Sequence, residues 1–356
     1  MAPSGSKANG TNDCARTFLK DESSQCKQRL SKPLRAAPVR KRSAPYFASA
    51  SGHWRGTILP DFGRLGAVQT SESHTSALTS STFSVRVNLV RLLVSVRDQA
   101  GALITNLNRD DFEVLDSDTP QHISVFEQNT SLPLSVAVLI DSSGSTQIDL
   151  HYEIDSVLKF IPALLRAGNP DDSFALFSFN WRTNMEVDYS RSQKRAERVL
   201  HGLHGEGGTS LYDAIYLASN TLSGRDGRHV MVIVTDGGDT TSYKHFQDAL
   251  QSAQEADVVL YPIVAVPIAN DAGRNLGGEH ALATLAKSTG GRIFYPEGFD
   301  RLDAAFGDIL RELRTQYLLG FYPQGVPEQR RSYHPVTVKV HGGGMRISSQ
   351  SGYYEP

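Results

Sequence analysis

Apolar positions along the chain follow first one period, then another, then return to the first. Phe83, Val85, Val87 and Leu89 alternate with Ser84, Arg86 and Asn88, the period-two signature of a half-buried strand. The alternation then changes phase to Val90, Leu92, Val94 and Val96. A one-residue slip would turn the buried face over, so the spacing predicts a β-bulge near Leu89–Val90. Asp98-Gln99-Ala100-Gly101 supplies a turn, with Ala102, Leu103 and Ile104 continuing beyond it. Phe112–Val114 and Ile123–Val125 read as further short strands. Residues 81–130 are therefore expected to form a small N-terminal β unit.

From residue 131 to about 315 strands and helices alternate. Leu134–Ile140 is almost purely apolar, as a central strand covered on both faces requires. Ile154, Val157, Leu158, Ile161 and Leu165 follow at helical spacing, closed by Asn169-Pro170. Phe174–Phe179, Val230–Val234 and Val258–Val266 read as strands, and so does Ile293–Tyr295. Helical stripes run through Leu211–Leu222, Phe246–Ala253, Ala281–Lys287 and Leu302–Leu313. Gly290-Gly291 has the composition of a left-handed helix C-cap. Repeated strand–helix units predict an α/β fold, a doubly wound and mostly parallel sheet. Over 316–356 the period of two returns: Tyr317, Leu319 and Phe321, then Val336, Val338 and Val340 against Thr337, Lys339 and His341. These flanking strands are expected to pack with the N-terminal β unit as a small sandwich.

Composition narrows the picture. The chain has 356 residues, 39% hydrophobic and 21% charged, with a formal net charge of −2. No global field recruits nucleic acid or a membrane surface. Residues 1–80 are rich in Ser, Ala, Gly, Lys and Arg and lack periodicity, which predicts a disordered tail. Its basic run of Lys27, Arg29, Lys32, Arg35, Arg40, Lys41 and Arg42 reads as a solvated arm. Cys14 and Cys26 also lie there, too few for a disulfide framework and without the histidines of a zinc site. No secretory signal is visible after Met1, and the best apolar stretch, Val87–Val96, is short and broken by Arg91, so no membrane span is expected.

The candidate chemistry lies where an open α/β sheet binds its ligands, beyond the carboxyl ends of the strands. Asp141-Ser142-Ser143-Gly144-Ser145 follows the apolar strand at 134–140. Gly207-Gly208-Thr209-Ser210 precedes a helix, and Asp236-Gly237-Gly238 follows the strand at 230–234. Hydroxyls and carboxylates are hard oxygen donors, suited to Mg²⁺ or Mn²⁺ rather than zinc. Taken singly, each cluster reads equally as a helix cap or a turn. Taken together, in order and each at a strand end or helix start, they predict a metal site. Asp213 and Asp239 read as helix-start and turn carboxylates, His151, His201 and His204 as surface residues, and Tyr353 and Tyr354 as packing for the last strand.

Asp141-x-Ser143-x-Ser145 with the later Thr209 and Asp236 resembles the metal-ion-dependent adhesion site (MIDAS) of von Willebrand factor type A (VWA) domains. That resemblance makes 131–315 the VWA domain. It implies that Ser143, Ser145 and Thr209 reach a divalent cation directly, Mg²⁺ first and Mn²⁺ or Ca²⁺ as alternatives. Asp141 and Asp236 would act mostly through water. It further implies a non-catalytic, adhesion-type module that captures an acidic group of a protein partner. The flanks resemble the VWFA-related acidobacterial domain family in Val87-Asn88-Leu89-Val90-Arg91, in Leu107–Val114, in Leu313–Pro323 and in Gly352-Tyr353-Tyr354. That bacterial family implies export to the periplasm or beyond, whereas no export signal is read here, which leaves localisation open. An assembly or chaperone factor for a larger complex is the alternative within the same resemblance. A metal-dependent hydrolase is disfavoured. An aspartyl phosphatase needs a second carboxylate where Ser143 stands, neither Ser142 nor Ser143 sits in Gly-x-Ser-x-Gly, and no phosphate loop or dinucleotide fingerprint appears.

Overall fold

The computed structural model describes residues 89–129, 131–166, 168–265, 275–298, 301–326 and 332–355. The tail read at 1–80 and the strand read at Phe83–Asn88 lie outside the described residues, and the bulge at Leu89–Val90 depends on them. All described residues belong to one unit, Ser80–Pro356.

The N-terminal strands are β1 (Val90–Arg97), β2 (Phe112–Asp116), β3 (Thr119–Gln121) and β4 (Ile123–Gln128). The alternating pattern of Val90, Leu92, Val94 and Val96 puts all four side chains inside. The segment after the turn makes only a single bridge, Arg97 to Leu103, rather than a strand of its own.

The α/β region follows. Its strands are β5 (Leu134–Asp141), β6 (Ser173–Phe179), β7 (Thr183–Ser190), β8 (Arg228–Thr235) and β9 (Val258–Val264), in the order β7-β6-β5-β8-β9. Strands β5, β6, β8 and β9 run parallel, and β7 closes one edge antiparallel to β6. All eight residues of β5 are buried because helices cover both faces. Alternate residues serve opposite layers. Val136, Val138 and Ile140 pack with α1 (Leu150–Arg166), α2 (Gln193–Leu200) and the later α6 (Leu302–Thr315). Ala137 and Leu139 pack with α3 (Leu211–Leu222), α4 (Phe246–Glu255) and α5 (Leu276–Ser288). At the end of α5 the Gly291 amide donates to Ala286 O (2.8 Å) while Gly290 holds φ +84°, the hydrogen bond and left-handed residue of a Schellman cap.

Two expectations change here. Ile293–Tyr295 is not a full strand but one parallel bridge, Ile263 to Phe294. In addition, β7 and α2 have no counterpart in the apolar pattern. Edge strand β7 buries only Val187, and α2 buries only Ala196 and Leu200, too few positions to carry a period.

Four strands return after α6: β10 (Tyr317–Phe321), β11 (Tyr333–Val340), β12 (Arg346–Ser348) and β13 (Gly352–Tyr354). They interleave with the N-terminal strands in two four-stranded sheets, β12-β1-β10-β4 and β13-β11-β2-β3. The sheets share a core of Val90, Leu92, Val94, Phe112, Tyr317, Phe321, Val336 and Val338. Strands β1 and β11 therefore face each other across the sandwich rather than share a sheet. Ring packing of Phe112 on Tyr317 (5.1 Å) ties the two ends of the chain together.

Candidate functional site

Strand order places the site. Strand β5 has β6 on one side and β8 on the other, so the connections leaving β5 and β8 part in opposite directions. A crevice opens at such a switch point, outside the carboxyl ends of the strands. Asp141 ends β5 and Asp236 directly follows β8. The strands are in register, with Ile140 opposite Val234, so Asp141 comes beside Thr235. The Thr235 hydroxyl donates to Asp141 Oδ2 (2.6 Å).

The first loop folds around its own aspartate. The Ser143 amide donates to Asp141 Oδ1 (2.9 Å), and the Thr146 hydroxyl donates to the carbonyls of Asp141 and Ser143 (both 3.0 Å). Ser143 Oγ and Ser145 Oγ stand 3.1 Å apart. Main-chain bonds join the second loop to the first: Gly144 N to Gly207 O (3.0 Å) and Glu206 N to Ser142 O (2.9 Å). Gly207 has φ +72°, and a Cβ there would strike the Trp181 ring, so both conformation and space call for glycine. The third loop is held to the second at Thr209. Its amide donates to Thr240 Oγ1 (2.8 Å), and its carbonyl accepts from the amides of Thr240 (2.8 Å) and Thr241 (3.1 Å). Asp213, on the first turn of α3, accepts the amides of Tyr243 (3.0 Å) and Lys244 (2.8 Å). It pins the third loop, in keeping with a turn-holding role, and Asp239 does likewise for Tyr212 N (3.3 Å).

The five sequence-predicted residues thus lie on three loops that are hydrogen-bonded to one another. Asp141, Ser143 and Thr209 are buried, Asp236 is half-buried and Ser145 is exposed, a gradient from sheet to solvent. Burial, together with the charge of Asp236, pushes the Asp141 carboxyl up from 3.8 to about 6 against the lowering effect of the Thr235 and Ser143 hydrogen bonds. No basic group acts on it. A buried acid facing another acid over paired hydroxyls is a donor set that suits a hard divalent cation. Among the described residues no three His, Cys, Asp or Glu side chains group as metal ligands. A site that takes three of its five oxygens from Ser and Thr does not need such a group.

Spacing alone did not reveal Thr235, Thr240 and Glu153. Glu153 is buried on α1, and its carboxyl is held well above the usual range by burial and by Asp141, Asp236 and Asp149. In the sequence it is a single acid within a helical stripe, which carries no period of its own. The structure also brings His151, His201 and His204 to the walls of one open pocket of about 370 Å³ with Asp155. Their separation along the chain concealed this. The loops carry exposed apolar side chains as well: Ile148 in the first, Trp181 after β6, Tyr243 in the third and Leu276 at the start of α5.

The family match falls on the α/β region. The family model described as von Willebrand factor type A domain matches residues 135–308, a span containing all five residues. No curated protein matches the chain. Similar solved structures include the vWF domain of the type V pili tip protein Mfa5 from Porphyromonas gingivalis, at 14% identity and TM-score 0.42 over 51% of this chain and 95% of that one. The conserved hypothetical protein BatB from Bacteroides thetaiotaomicron is 16% identical, with TM-score 0.41 over 51% and 97%. A von Willebrand factor type A protein from Catenulispora acidiphila is 11% identical, with TM-score 0.43 over 77% and 75%. With its doubly wound sheet, its loops at the switch point and the family match over them, the chain carries a von Willebrand factor type A domain at residues 135–308.

Proposed function

We propose that Asp141, Ser143, Ser145, Thr209 and Asp236 hold one divalent cation, Mg²⁺ before Mn²⁺ or Ca²⁺, and that the domain uses it to bind an acidic group of a protein partner. The observation that carries this reading is the acid pair Asp141–Asp236, without a basic group acting on Asp141, beside hydroxyls 3.1 Å apart. Ser143, Ser145 and Thr209 would supply the direct oxygens. Asp141 fixes the first loop through the Ser143 amide and the third through Thr235, so it orients the donors. When bound, the cation supplies an electrophilic position for a carboxylate of the partner.

Two further features favour capture over catalysis. Nucleophilic serines need a base such as an imidazole, whereas the hydroxyl neighbour of Ser143 is Ser145. The loops around the site expose Ile148 (81%), Tyr243 (91%) and Leu276 (70%), apolar surface that a bound partner would cover. No helix among the described residues is long and apolar enough to cross a membrane.

The test is calorimetric titration of the full chain with Mg²⁺ and Mn²⁺, alongside partner retention in Mg²⁺ and in EDTA, with Asp141→Ala as control. Metal uptake by the wild type that is lost in Asp141→Ala, with retention that follows it, supports the proposal. No divalent uptake by the wild type, or wild-type behaviour of the mutant, overturns it and returns the polar loops to caps and turns.

A further inference from the structure

Glu153 is an acid without an assignment. It lies on the first turn of α1, straight after the loop that carries Asp141, Ser143 and Ser145. It is 1% exposed, and its Oε2 atom has no hydrogen-bond partner among the described residues. Buried carboxylate oxygens are costly to leave unsatisfied, and one in a native interior calls for a partner absent from the protein itself, such as water or an ion. The charges acting on Glu153 narrow the choice. They are Asp141, Asp236 and Asp149, all acids, and none is basic. Other buried acids of the chain are matched differently. Glu312 receives Arg97, Arg292 (3.0 Å) and the Tyr261 hydroxyl (3.3 Å), and Asp172 receives Arg314 (3.0 Å) and the Leu134 amide (2.8 Å). Glu153 is buried as they are but faces only like charge.

We propose that Glu153 is a positioning residue of the cation site: its carboxylate, one helical turn beneath the first loop, accepts a hydrogen bond from water held there and adds a third acid behind Asp141 and Asp236. The inference rests on the cation reading above. It accounts for an acid on the buried face of α1 beside Ile154, Val157, Phe160 and Ile161. Partners of this outer kind hold direct donors in place and set affinity, and losing one typically costs metal binding roughly ten- to a hundredfold.

The experiment compares wild type, Glu153→Gln and Glu153→Leu as full chains. Melting in EDTA and Mg²⁺ titration calorimetry from pH 5 to 8 are the two readouts. The expected result has opposite signs. Both variants melt in EDTA at or above the wild-type temperature, since a buried acid among acids has been removed, yet bind Mg²⁺ about tenfold more weakly or worse. The pH dependence of Mg²⁺ affinity flattens in Glu153→Gln. Mg²⁺ affinity within twofold of wild type in either folded variant overturns the proposal. A parallel loss of apo stability and affinity in both assigns Glu153 to the fold and overturns it too. If the wild type takes up no Mg²⁺ at all, the cation reading itself fails, an outcome distinct from a metal-binding wild type with indifferent variants.

Discussion

The two ends of the central sheet handle charge in opposite ways. At the amino ends of the parallel strands, Arg225 donates to Ser135 Oγ (2.8 Å) and Ser173 Oγ (3.0 Å), and Arg228 donates to Leu313 O (2.6 Å). Asp172, fully buried, takes Arg314 and the Leu134 amide. Each charge there ends on a partner within the chain. At the carboxyl ends, Asp141, Asp236 and Glu153 act on one another, and the charges reaching Asp141 and Glu153 are all acidic. The amino end closes the fold, whereas the carboxyl end gathers acids that burial and mutual repulsion push toward the protonated form. Buried ionisable groups with shifted proton affinity cluster at functional sites for this reason.

The contrast breaks most visibly at the amino end. Asp172→Ala removes the acceptor of Leu134 N and leaves Arg314, 27% exposed at its side chain, without its carboxylate. Removing one partner of such a buried pair costs about 3–5 kcal/mol. Urea unfolding should register that loss in Mg²⁺ and in EDTA alike, since nothing at this end depends on a cation. A loss below about 1 kcal/mol would mean that the amino end is not held by this pair.

At the carboxyl end a ligand, not a mutation, should produce the largest change. An ion that binds only the folded state stabilises it by about 2.7 kcal/mol at a hundredfold excess over Kd. Melting in Mg²⁺ against EDTA should reveal a shift that Asp172→Ala retains and Asp141→Ala lacks.

Without metal, Asp141 should cost stability at neutral pH. Its carboxyl is raised to about 6 in the folded state from 3.8, first by burial. A raised carboxyl contributes stability that is fully present below the unfolded value and is lost as pH rises through the folded one. The window is therefore about pH 4 to 6. Asp141→Asn keeps an acceptor for the Ser143 amide and has no such titration. In EDTA at pH 7.5 it should exceed wild type by about 1–3 kcal/mol, a difference that closes below pH 4. An equal gap at pH 4 and 7.5 would sink the electrostatic account.

How much of this was legible in the sequence follows from the same physics. Buried parallel strands announce themselves as apolar runs, so β5, β6, β8 and β9 fall where Leu134–Ile140, Phe174–Phe179, Val230–Val234 and Val258–Val266 predict, to within two residues. The polar loops were legible because oxygen donors flank glycines at strand ends. Edge strand β7 and helix α2 were not, because each buries too few side chains to carry a period. The pairing of sandwich strands was only half legible: period two marks a buried face but does not say which of two facing sheets a strand joins, and β1 and β11 fall in different ones. Glu153 was invisible because a single acid in a helical stripe carries no period. That His151 on α1 shares a pocket wall with His201 and His204 was invisible because their approach is tertiary.

The smallest stability effect should accompany a large effect on binding, at the apolar rim of the carboxyl end. Ile148 and Tyr243 are 81% and 91% exposed, so they contribute little to folding, and Ile148→Ser with Tyr243→Ser should change unfolding free energy by no more than about 0.5 kcal/mol. Neither side chain is among the five oxygen donors, so Mg²⁺ affinity should match wild type in calorimetry. Interface energy, by contrast, concentrates in a few apolar and aromatic anchors at the centre of a contact, where each is worth about 2 kcal/mol or more. A partner that seats a carboxylate on the cation would lay its neighbouring residues on this rim. The double variant should therefore keep metal and fold while releasing the Mg²⁺-dependent partner at least tenfold faster in a surface-binding assay. Undiminished partner retention would confine recognition to the polar centre and leave the exposed rim outside the interface.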